Sequence, residues 1–383
     1  MHYSTDRILT THVGSLPRPS SLEQLLLQVE LGGPYDEKLL TTEIRQAVEK
    51  GLQQQCSWGI DIVNDGEFGK TGYSTYIQQR LSGFSGESPS LRFDDLSAFP
   101  GYRKLQASAA GTRRLVRPCC TGPIQLRDPA PLTRDIENLT AAGRKSNAVD
   151  VFMNAASPGV IALFHINNFY PNDDAYLEAL ATEMQVEYEA IHAAGLMLQI
   201  DCPDLAMGRH TQFRNLSDRE FLSRAAVQVE VLNAALINVP ADRSRIHICW
   251  GNYEGPHHLD IPLERLFDTL MGAKPQGLSI EASNPRHAHE WSLFGNRSLP
   301  DDKVLIPGVI DSVTNYIEHP ELVAERIVRY ADLVGRERVI AGTDCGFATF
   351  AGMGKVDPAI MAEKFKALSQ GAELASRQLW GHA

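Results

Sequence analysis

The chain has 383 residues, of which 43% are hydrophobic and 22% are charged, and its formal net charge is -11. This composition is typical of a globular protein, and the length allows either two domains or one large α/β barrel with insertions. The acidic balance argues against nucleic acid as a main partner, because phosphate binding needs a basic surface.

The sequence also argues against export and against a membrane partner. Residues 1–11 carry charges and have no apolar stretch, which is not the pattern of a signal peptide. No apolar run approaches the roughly 20 residues that a membrane helix needs. We therefore expect a cytoplasmic protein whose six scattered cysteines serve packing, metal binding or catalysis rather than disulfides. A homo-oligomer is compatible with this pattern.

Short apolar runs alternate with longer amphipathic stretches along the chain. The predicted strands, in order, are 8–15, 60–65, 115–120, 160–164, 198–201, 246–249, 278–281, 304–310 and 339–342. Helical spacing of apolar residues predicts helices over 36–55, 174–194, 218–236 and 320–334, the last opening with proline.

Repeated alternation of strand and helix predicts a parallel sheet. Nine predicted strands are one more than a (β/α)8 TIM barrel needs. We assign the extra strand to an insertion near residues 82–132, where the helical pattern breaks down. The simplest interpretation is one elaborated catalytic barrel over residues 1–383. An open doubly wound sheet is the alternative, but no Gly-rich phosphate loop follows an early strand.

Polar side chains stand at the carboxyl ends of most predicted strands, which form the catalytic face of a barrel. They are Ser15, Asp65, Glu67, Asp201, His247, Cys249, Glu281, Asp311, Asp344 and Cys345. Carboxylates at the end of an apolar run are costly to bury unless a cation offsets their lost hydration. The pattern therefore predicts a site that holds a metal ion or the amine of a ligand.

The tripeptide His247-Ile248-Cys249 is the most informative short motif. Residues i and i+2 of a strand point to the same side, so the imidazole and the thiol would face one point. Zinc takes imidazole, thiolate and carboxylate ligands, and Glu281 and Cys345 would arrive from later strands. A packed cysteine beside a hydrogen-bonded histidine would give the same tripeptide, and spacing alone does not separate the two interpretations.

Seven short segments, in order over nearly the whole chain, resemble the catalytic barrel of cobalamin-independent methionine synthases and its shorter single-barrel relatives. They are 10–18 (TTHVGSLPR), 64–68 (NDGEF), 199–201 (QID), 247–249 (HIC), 279–281 (SIE), 308–311 (GVID) and 343–346 (TDCG). The resemblance implies a (β/α)8 barrel with zinc bound by His247, Cys249, Glu281 and Cys345.

The resemblance further implies that zinc binds the acceptor thiol as a thiolate, which attacks an electrophilic alkyl carbon. Ser15, Glu67 and Asp201 stand where the synthases hold the amino-acid part of homocysteine. Two carboxylates suit an ammonium group, which favours an amino-thiol such as homocysteine as the acceptor. The resemblance implies that the transferred alkyl group is methyl. Capping of helices or loops would also account for Glu67 and Asp201. Val13 and Arg18, in the first segment, are further candidates for substrate binding.

Two positions depart from the synthase pattern on the side of the alkyl donor. Val313 stands near the place of a histidine that handles protons in the synthases, and His165 lies near the place of a tryptophan that packs against folate. His165 and Asp311 are accordingly our candidate catalytic residues for proton transfer or donor binding.

The segment 308–320 (GVIDSVTNYIEHP) is closer to a related branch, the epoxyalkane:coenzyme M transferases, in which a thiol opens an epoxide. The sulfonate of such a thiol would need a cation, for which Arg18 and Lys70 are candidates. We therefore expect a zinc-dependent transferase that alkylates a small-molecule thiol. Epoxide opening is one alternative, and a non-catalytic or metal-free barrel related to uroporphyrinogen decarboxylase is the other.

Overall fold

The computed structural model describes residues 1–89, 91–110 and 117–381, and of 106–110 it describes the backbone alone. The strands in these ranges are β1 Leu9–Thr10, β2 Ile62–Val63, β3 Phe84–Ser85, β4 Cys119–Cys120, β5 Asp150–Ala156, β6 Met197–Asp201, β7 Ser244–Ile248, β8 Gly277–Ile280, β9 Val304–Ile310 and β10 Ile340–Thr343.

The α-helices lie between these strands and after the last of them. They are α1 Ser20–Glu30, α2 Glu37–Ser57, α3 Ile77–Arg80, α4 Asp94–Ser97, α5 Pro100–Ala110, α6 Ala130–Gly143, α7 Pro158–Phe164, α8 Asp173–Ala193, α9 Asp218–Ala235, α10 Leu263–Met271, α11 Pro320–Val334 and α12 Pro358–Trp380. Short 3-10 helices span Pro203–Leu205, Met207–His210, Ala241–Arg243, Glu290–Gly295 and Arg336–Arg338. None of the helices within the described residues combines the length and the apolar character that a membrane crossing demands.

Eight strands form one parallel sheet in the order β1-β10-β9-β8-β7-β6-β5-β2. A parallel bridge between Thr11 and Ile62 joins the two outer strands and closes the sheet. The register sets Asp201 beside His247 across β6 and β7, and Ile248 beside Ile280 across β7 and β8. The predicted (β/α)8 TIM barrel is therefore confirmed, with the carboxyl ends of all eight strands at one face.

Helix boundaries follow the capping signals in the sequence. Ser217 caps α9 through a reciprocal pair of hydrogen bonds with Glu220, and Asn172 caps α8 by accepting from the backbone N–H of Ala175. Such caps satisfy N–H groups that have no partner inside the helix. The four predicted helices consequently match α2, α8, α9 and α11 to within two residues.

One predicted strand is wrong. Residues 160–164 form most of α7, and the barrel strand in this region is β5, Asp150–Ala156, which was not predicted. All seven residues of α7 are buried, so the helix has no polar face to reveal its period. Ser157 caps it and Pro158 opens it, two signals that favour a helix.

The predicted insertion near residues 82–132 lies between α3 and α6. It holds the antiparallel pair of β3 and β4 and the helices α4 and α5. The extra strand predicted over 115–120 therefore belongs to the insertion, with Cys119–Cys120 observed as β4 and residues 115–116 outside the described residues. The expectation that helix breaks down throughout this segment is wrong at α4 and α5.

Arg245, a buried arginine of β7, makes hydrogen bonds inside the barrel. The Arg245 guanidinium donates to Gln199 Oε1 at 2.8 Å, to Thr11 Oγ1 at 3.0 Å and to the His12 carbonyl at 2.9 Å. Its central carbon lies 3.7 Å from the Phe152 ring centroid. A separate apolar cluster fills the barrel, formed by Leu9, Ile62, Phe152, Met197, Val304, Ile306 and Ile340. The barrel is thus a packed core, and the open space lies at the strand ends.

Candidate metal centre and substrate cavity

Three side chains able to bind a metal converge at the carboxyl ends of two strands. His247 lies in β7, Cys249 follows that strand, and Cys345 lies two residues after β10. One ligand atom from each lies within 4.8 Å of the others, and the two sulfurs are 3.7 Å apart. Both cysteines are free thiols, and all three side chains are buried. The spacing of residues i and i+2 in β7 turns the imidazole and the thiol to one side.

The His247 ring presents one nitrogen to this group. Its Nδ1 lies 3.3 Å from Ser279 Oγ, while its buried Nε2 has no hydrogen-bond partner in the described part of the chain. Burial, with Arg245 adding to it, lowers the pKa of His247 to about 3, so the imidazole is neutral. A neutral ring that donates from Nδ1 to Ser279 leaves the Nε2 lone pair available to a metal.

Glu281 lies beside the three converging ligands, directly after β8. Its Oε1 accepts from the Trp250 N–H at 2.8 Å and its Oε2 accepts from Asn284 Nδ2 at 2.8 Å. Burial, and then the neighbouring Cys249, raise the pKa of Glu281 well above its ordinary value. Of the four predicted zinc ligands, three therefore form the closest group, and the fourth is held next to Cys249.

Asp344 fixes the loop that carries Glu281. Its carboxylate accepts from the backbone N–H groups of Ala282, Ser283 and Asn284 at 2.7, 2.8 and 2.9 Å. A side chain at Gly308 would place its Cβ 2.3 Å from Asp344 Oδ1, so only glycine fits there. The loop that carries Glu281 is thus held by the end of β10, two strands away from β8 in the sheet.

Ser15 lies against the segment that follows Cys345. Its carbonyl accepts from the Phe347 N–H at 2.9 Å. A Cβ on Gly346 would lie 2.0 Å from Ser15 Oγ, which means that the absence of a side chain at Gly346 makes room for the hydroxyl. The ends of β1 and β10 are therefore packed together at the cavity.

Glu67 is turned into the cavity by an unusual backbone. Gly66 and Glu67 have φ of 66° and 56°, the left-handed region that a residue with a side chain rarely adopts. The side chain is 2% exposed, and its Oε2 has no hydrogen-bond partner among the described residues. Burial raises the pKa of Glu67 to about 8, although Lys70 and Arg18 oppose the rise. Strain at a buried carboxylate is common where a ligand is bound.

Asp201, the last residue of β6, also faces the cavity. Its carboxylate accepts from Asn154 Nδ2 at 3.0 Å and from Gln199 Nε2 at 2.9 Å. Burial raises its pKa to about 6. No ion pair joins Asp201 or Glu67 to a cation of the described residues, although the charge of Lys70 acts to lower the pKa of both. Both pKa values stay raised, so an additional cationic ligand would be favoured between them.

The other predicted substrate residues differ in their surroundings. Val13 lines the cavity, and its carbonyl accepts from Asn154 and Gln199. Arg18 is outside the lining, and its guanidinium donates to the carbonyls of Glu67, Lys70 and Ala348. Lys70 is also outside it and donates to the Asn154 carbonyl at 2.7 Å. Arg18 and Lys70 therefore brace the loops, which does not favour them as partners for a substrate anion.

The predicted catalytic residues His165 and Asp311 do not line the cavity. His165 is fully buried at the end of α7, where Nδ1 contacts the Pro118 carbonyl at 2.9 Å and the ring lies 4.9 Å from that of Phe84. Asp311 Oδ1 accepts from the N–H groups of Val313 and Thr314 and caps the turn after β9. The structure brings neither residue to the converging ligands.

A cavity of about 530 Å³ opens beside the converging ligands. Its polar lining includes Ser15, Glu67, Asp201, His247, Cys249, Asn252 and Cys345. Its apolar lining includes Tyr73, Leu91, Phe93, Leu96, Phe164, Met207, Phe350 and Met353. Arg117 and Lys355 add two cations. A volume of this size suits a small organic substrate with polar groups at one part and an apolar body at another.

Sequence reasoning missed the apolar lining and Arg117. Arg117, Leu91 and Phe93 lie in the insertion, where no motif or strand end marks a residue as functional. Asn252 could have been found, since it lies three residues after Cys249. Its Nδ2 donates to the Gly346 carbonyl at 2.7 Å and so links the loops that carry the two cysteines.

Comparison with known proteins bears on the family and the fold of this chain. The family model for the catalytic domain of the cobalamin-independent synthase matches residues 165–361, just over half of the 383 residues. The methionine synthase of Thermococcus kodakarensis is 23% identical over 371 residues, which cover 97% of this chain and 94% of that protein. The 2-hydroxypropyl-CoM lyase of Xanthobacter autotrophicus is 24% identical over 406 residues, which cover 97% and 96%.

A solved structure shares the fold. The B12-independent methionine synthase from Shewanella sp. W3-18-1, in complex with selenomethionine, superposes with a TM-score of 0.73. It is 20% identical, and the match covers 98% of this chain and 100% of that one. The predicted family resemblance is confirmed, and the chain belongs to the family of cobalamin-independent methionine synthase catalytic domains.

Proposed function

We propose that this protein is a zinc-dependent transferase that moves an alkyl group, in the simplest case methyl, onto the thiol of a small molecule such as homocysteine. The thiolate sulfur is the nucleophile. The observation that carries the proposal is the convergence of His247, Cys249 and Cys345, with ligand atoms within 4.8 Å, in the lining of a cavity that also contains Glu67 and Asp201.

The donor set fits zinc. One imidazole nitrogen and two sulfurs converge, Glu281 supplies a carboxylate beside them, and the buried Nε2 of His247 has no other partner among the described residues. Such a nitrogen, sulfur and oxygen set is typical of four-coordinate zinc. When bound, zinc lowers the pKa of a thiol that binds to it, so that the thiolate is available near neutral pH.

The protein's own side chains would orient the acceptor. Glu67 Oε2 is buried without a partner among the described residues, and Asp201 supplies a second carboxylate. An ammonium group between them would offset the cost of burying both charges. Ser15, held against the Cys345 segment, adds a hydroxyl for the polar end of the same molecule. Aromatic side chains such as Phe164 and Phe350 exclude water around the reacting sulfur.

Metal content and thiol alkylation test the proposal together. We expect the purified protein to hold about one zinc per chain. Cys249→Ala should lose the metal and lower the rate of homocysteine alkylation by at least about a hundredfold. Cys56→Ala is the matched control, because Cys56 is a free, half-buried cysteine of α2 outside the cavity. A purified protein without zinc, unchanged by Cys249→Ala, would contradict the proposal and favour a metal-free barrel.

Opening of an epoxide by a thiol is the second candidate. It is favoured by the similarity to a protein named 2-hydroxypropyl-CoM lyase over nearly the whole chain, and by the apolar part of the cavity. Assays of homocysteine with methyl-folate and of coenzyme M with epoxypropane distinguish the two functions. Both require the same zinc site, so Cys249→Ala should abolish whichever activity is found.

A further inference from the structure

We propose that Arg117 binds an anionic group of the alkyl donor, and that the donor's body lies against the aromatic side chains next to it in the cavity. The inference rests on the proposed function, because it names a property of the donor in that reaction. Arg117 belongs to the insertion and to none of the strand-end motifs, and it would help to select the donor.

Arg117 is a buried cation in the cavity lining. It is 7% exposed, and its Nη2 donates to the Pro89 carbonyl at 2.6 Å. The guanidinium carbon lies 5.8 Å from the centroid of the Phe164 ring. Burial lowers the pKa of Arg117, with no charged neighbour opposing the shift. The backbone and the ring fix the side chain, but neither of them offsets its charge.

No carboxylate is available to pair with this guanidinium. Within residues 1–89, 91–110 and 117–381, no Asp or Glu forms an ion pair with Arg117. The positions outside these ranges, 90, 111–116 and 382–383, contain neither Asp nor Glu in the sequence. A buried charge without a partner is costly, and an anionic ligand would remove that cost. Arginine also presents a planar fork that matches carboxylates, sulfonates and phosphates.

Aromatic rings connect Arg117 with the region of the thiols. Tyr73 lines the same cavity as Cys249 and Cys345. The Tyr73 ring centroid lies 5.7 Å from that of Phe164, and the Arg117 guanidinium carbon lies 5.8 Å from the Phe164 centroid. A molecule with a flat or apolar body could therefore reach from the nucleophilic sulfur to the guanidinium along one wall.

The other cations near the cavity fit this role less well. Arg18 and Lys70 donate to backbone carbonyls and lie outside the lining. Lys355 does line the cavity, and it would add to the attraction of an anion. Arg117 is the cation that combines burial in the lining with contact to the aromatic wall.

Equilibrium binding of matched probes to the purified protein tests the inference. The probes are naphthalene-2-carboxylate, naphthalene-2-sulfonate and the neutral naphthalene-2-carboxamide. We expect at least one of the anions to bind about tenfold or more tightly than the carboxamide, because charge-assisted bonds to a buried arginine are strong. Arg117→Gln should remove that preference, and Arg117→Lys should restore part of it.

Arg92→Gln is the control, because Arg92 belongs to the same insertion but its side chain is 61% exposed and pairs with Asp94. It should leave all affinities unchanged. Equal binding of anions and carboxamide by the unaltered protein would overturn the inference, whether or not Arg117→Gln folds. Displacement of the bound anion by homocysteine would place Arg117 at the acceptor and overturn the assignment to the donor. Failure of the zinc or alkylation assays alone would not change these results, so the two proposals can fail separately.

Discussion

The cavity has two walls that differ in how they are built. The first, which we call the strand-end wall, is formed by Glu67, Asp201 and His247. These side chains follow or end strands and are held by neighbouring side chains or by a constrained backbone. The second, which we call the insertion wall, includes Leu91 and Phe93 of the insertion. In the proposed function, the barrel would supply the groups that act on the thiol, and the insertion would shape the space for the alkyl donor. Substitutions in the insertion could therefore change which donor binds without changing the groups that act on the thiol.

The largest effect on activity is expected on the strand-end wall. The raised pKa of about 8 keeps Glu67 largely protonated until an ammonium group binds and favours the carboxylate. Glu67→Gln removes that carboxylate and should lower kcat/KM for homocysteine about 10- to 100-fold, since hydrogen bonds to charged groups are strong. A thiol without an amino group, 3-mercaptopropionate, should be affected less than about threefold. Equal losses for both thiols would show that Glu67 supports the fold and does not bind the amine.

The free energy of unfolding should depend on pH through Asp204, a buried residue three positions after Asp201. Burial raises the pKa of Asp204 to about 7, opposed by the hydrogen bond that it accepts from Ser157 Oγ at 2.6 Å. The unfolded chain loses this proton near pH 4, whereas the folded chain keeps it until about pH 7. The free energy of unfolding should therefore fall as pH rises through this window, by roughly 2–4 kcal/mol.

Urea unfolding at pH 4.5 and at pH 8 measures this loss. In the variant Asp204→Asn the difference between the two pH values should shrink by about the same amount. Asp6→Asn, at an exposed position, is the control and should behave like the unaltered protein. A pH dependence that Asp204→Asn leaves intact would assign it to other buried carboxylates.

The smallest effect is expected on local stability, at the contact of Asp95 in the insertion with Tyr253 and His257. Asp95 is fully buried and accepts from the Tyr253 hydroxyl and from the His257 N–H. Asp95→Ala should destabilise this contact by about 1–3 kcal/mol and speed amide exchange in residues 91–97, with the β-strands unaffected. Asp94→Ala is the control, because Asp94 is partly exposed and pairs with Arg92 and Arg214. Faster exchange throughout the barrel would show that the two walls are one cooperative unit.

The residues of the strand-end wall could be predicted from the sequence because the direction of a strand side chain depends only on its place in that strand. Alternation in β7 is enough to bring His247 and Cys249 to one side, and the family segments added Glu281 and Cys345. Arg117 was not predictable, because its position depends on how the insertion packs over the barrel. Zinc binding, the roles of the site residues, a cytoplasmic location and one catalytic unit over residues 1–383 remain predictions.

His165 and Asp311 lie away from the converging ligands for two different reasons. The family resemblance suggests His165 from a position near that of a tryptophan, but residues 160–164 form α7, and His165 follows this helix with its Nδ1 on the Pro118 carbonyl. Asp311 does follow a strand, yet its carboxylate accepts from Val313 and Thr314 N–H groups in a turn. A short carboxylate can satisfy its own loop as readily as a ligand, and only the backbone path after the strand separates the two.

The shared space at Ser15 and Gly346 has a consequence for redesign. Since a Cβ at Gly346 would lie 2.0 Å from Ser15 Oγ, the two positions behave as one volume divided between two chain segments. Libraries that vary position 346 alone should yield misfolded or inactive proteins, and larger residues at position 15 should fail in the same way. Because position 346 is already glycine, the practical route to new acceptor thiols is a joint library that shortens position 15 to alanine or glycine while enlarging position 346.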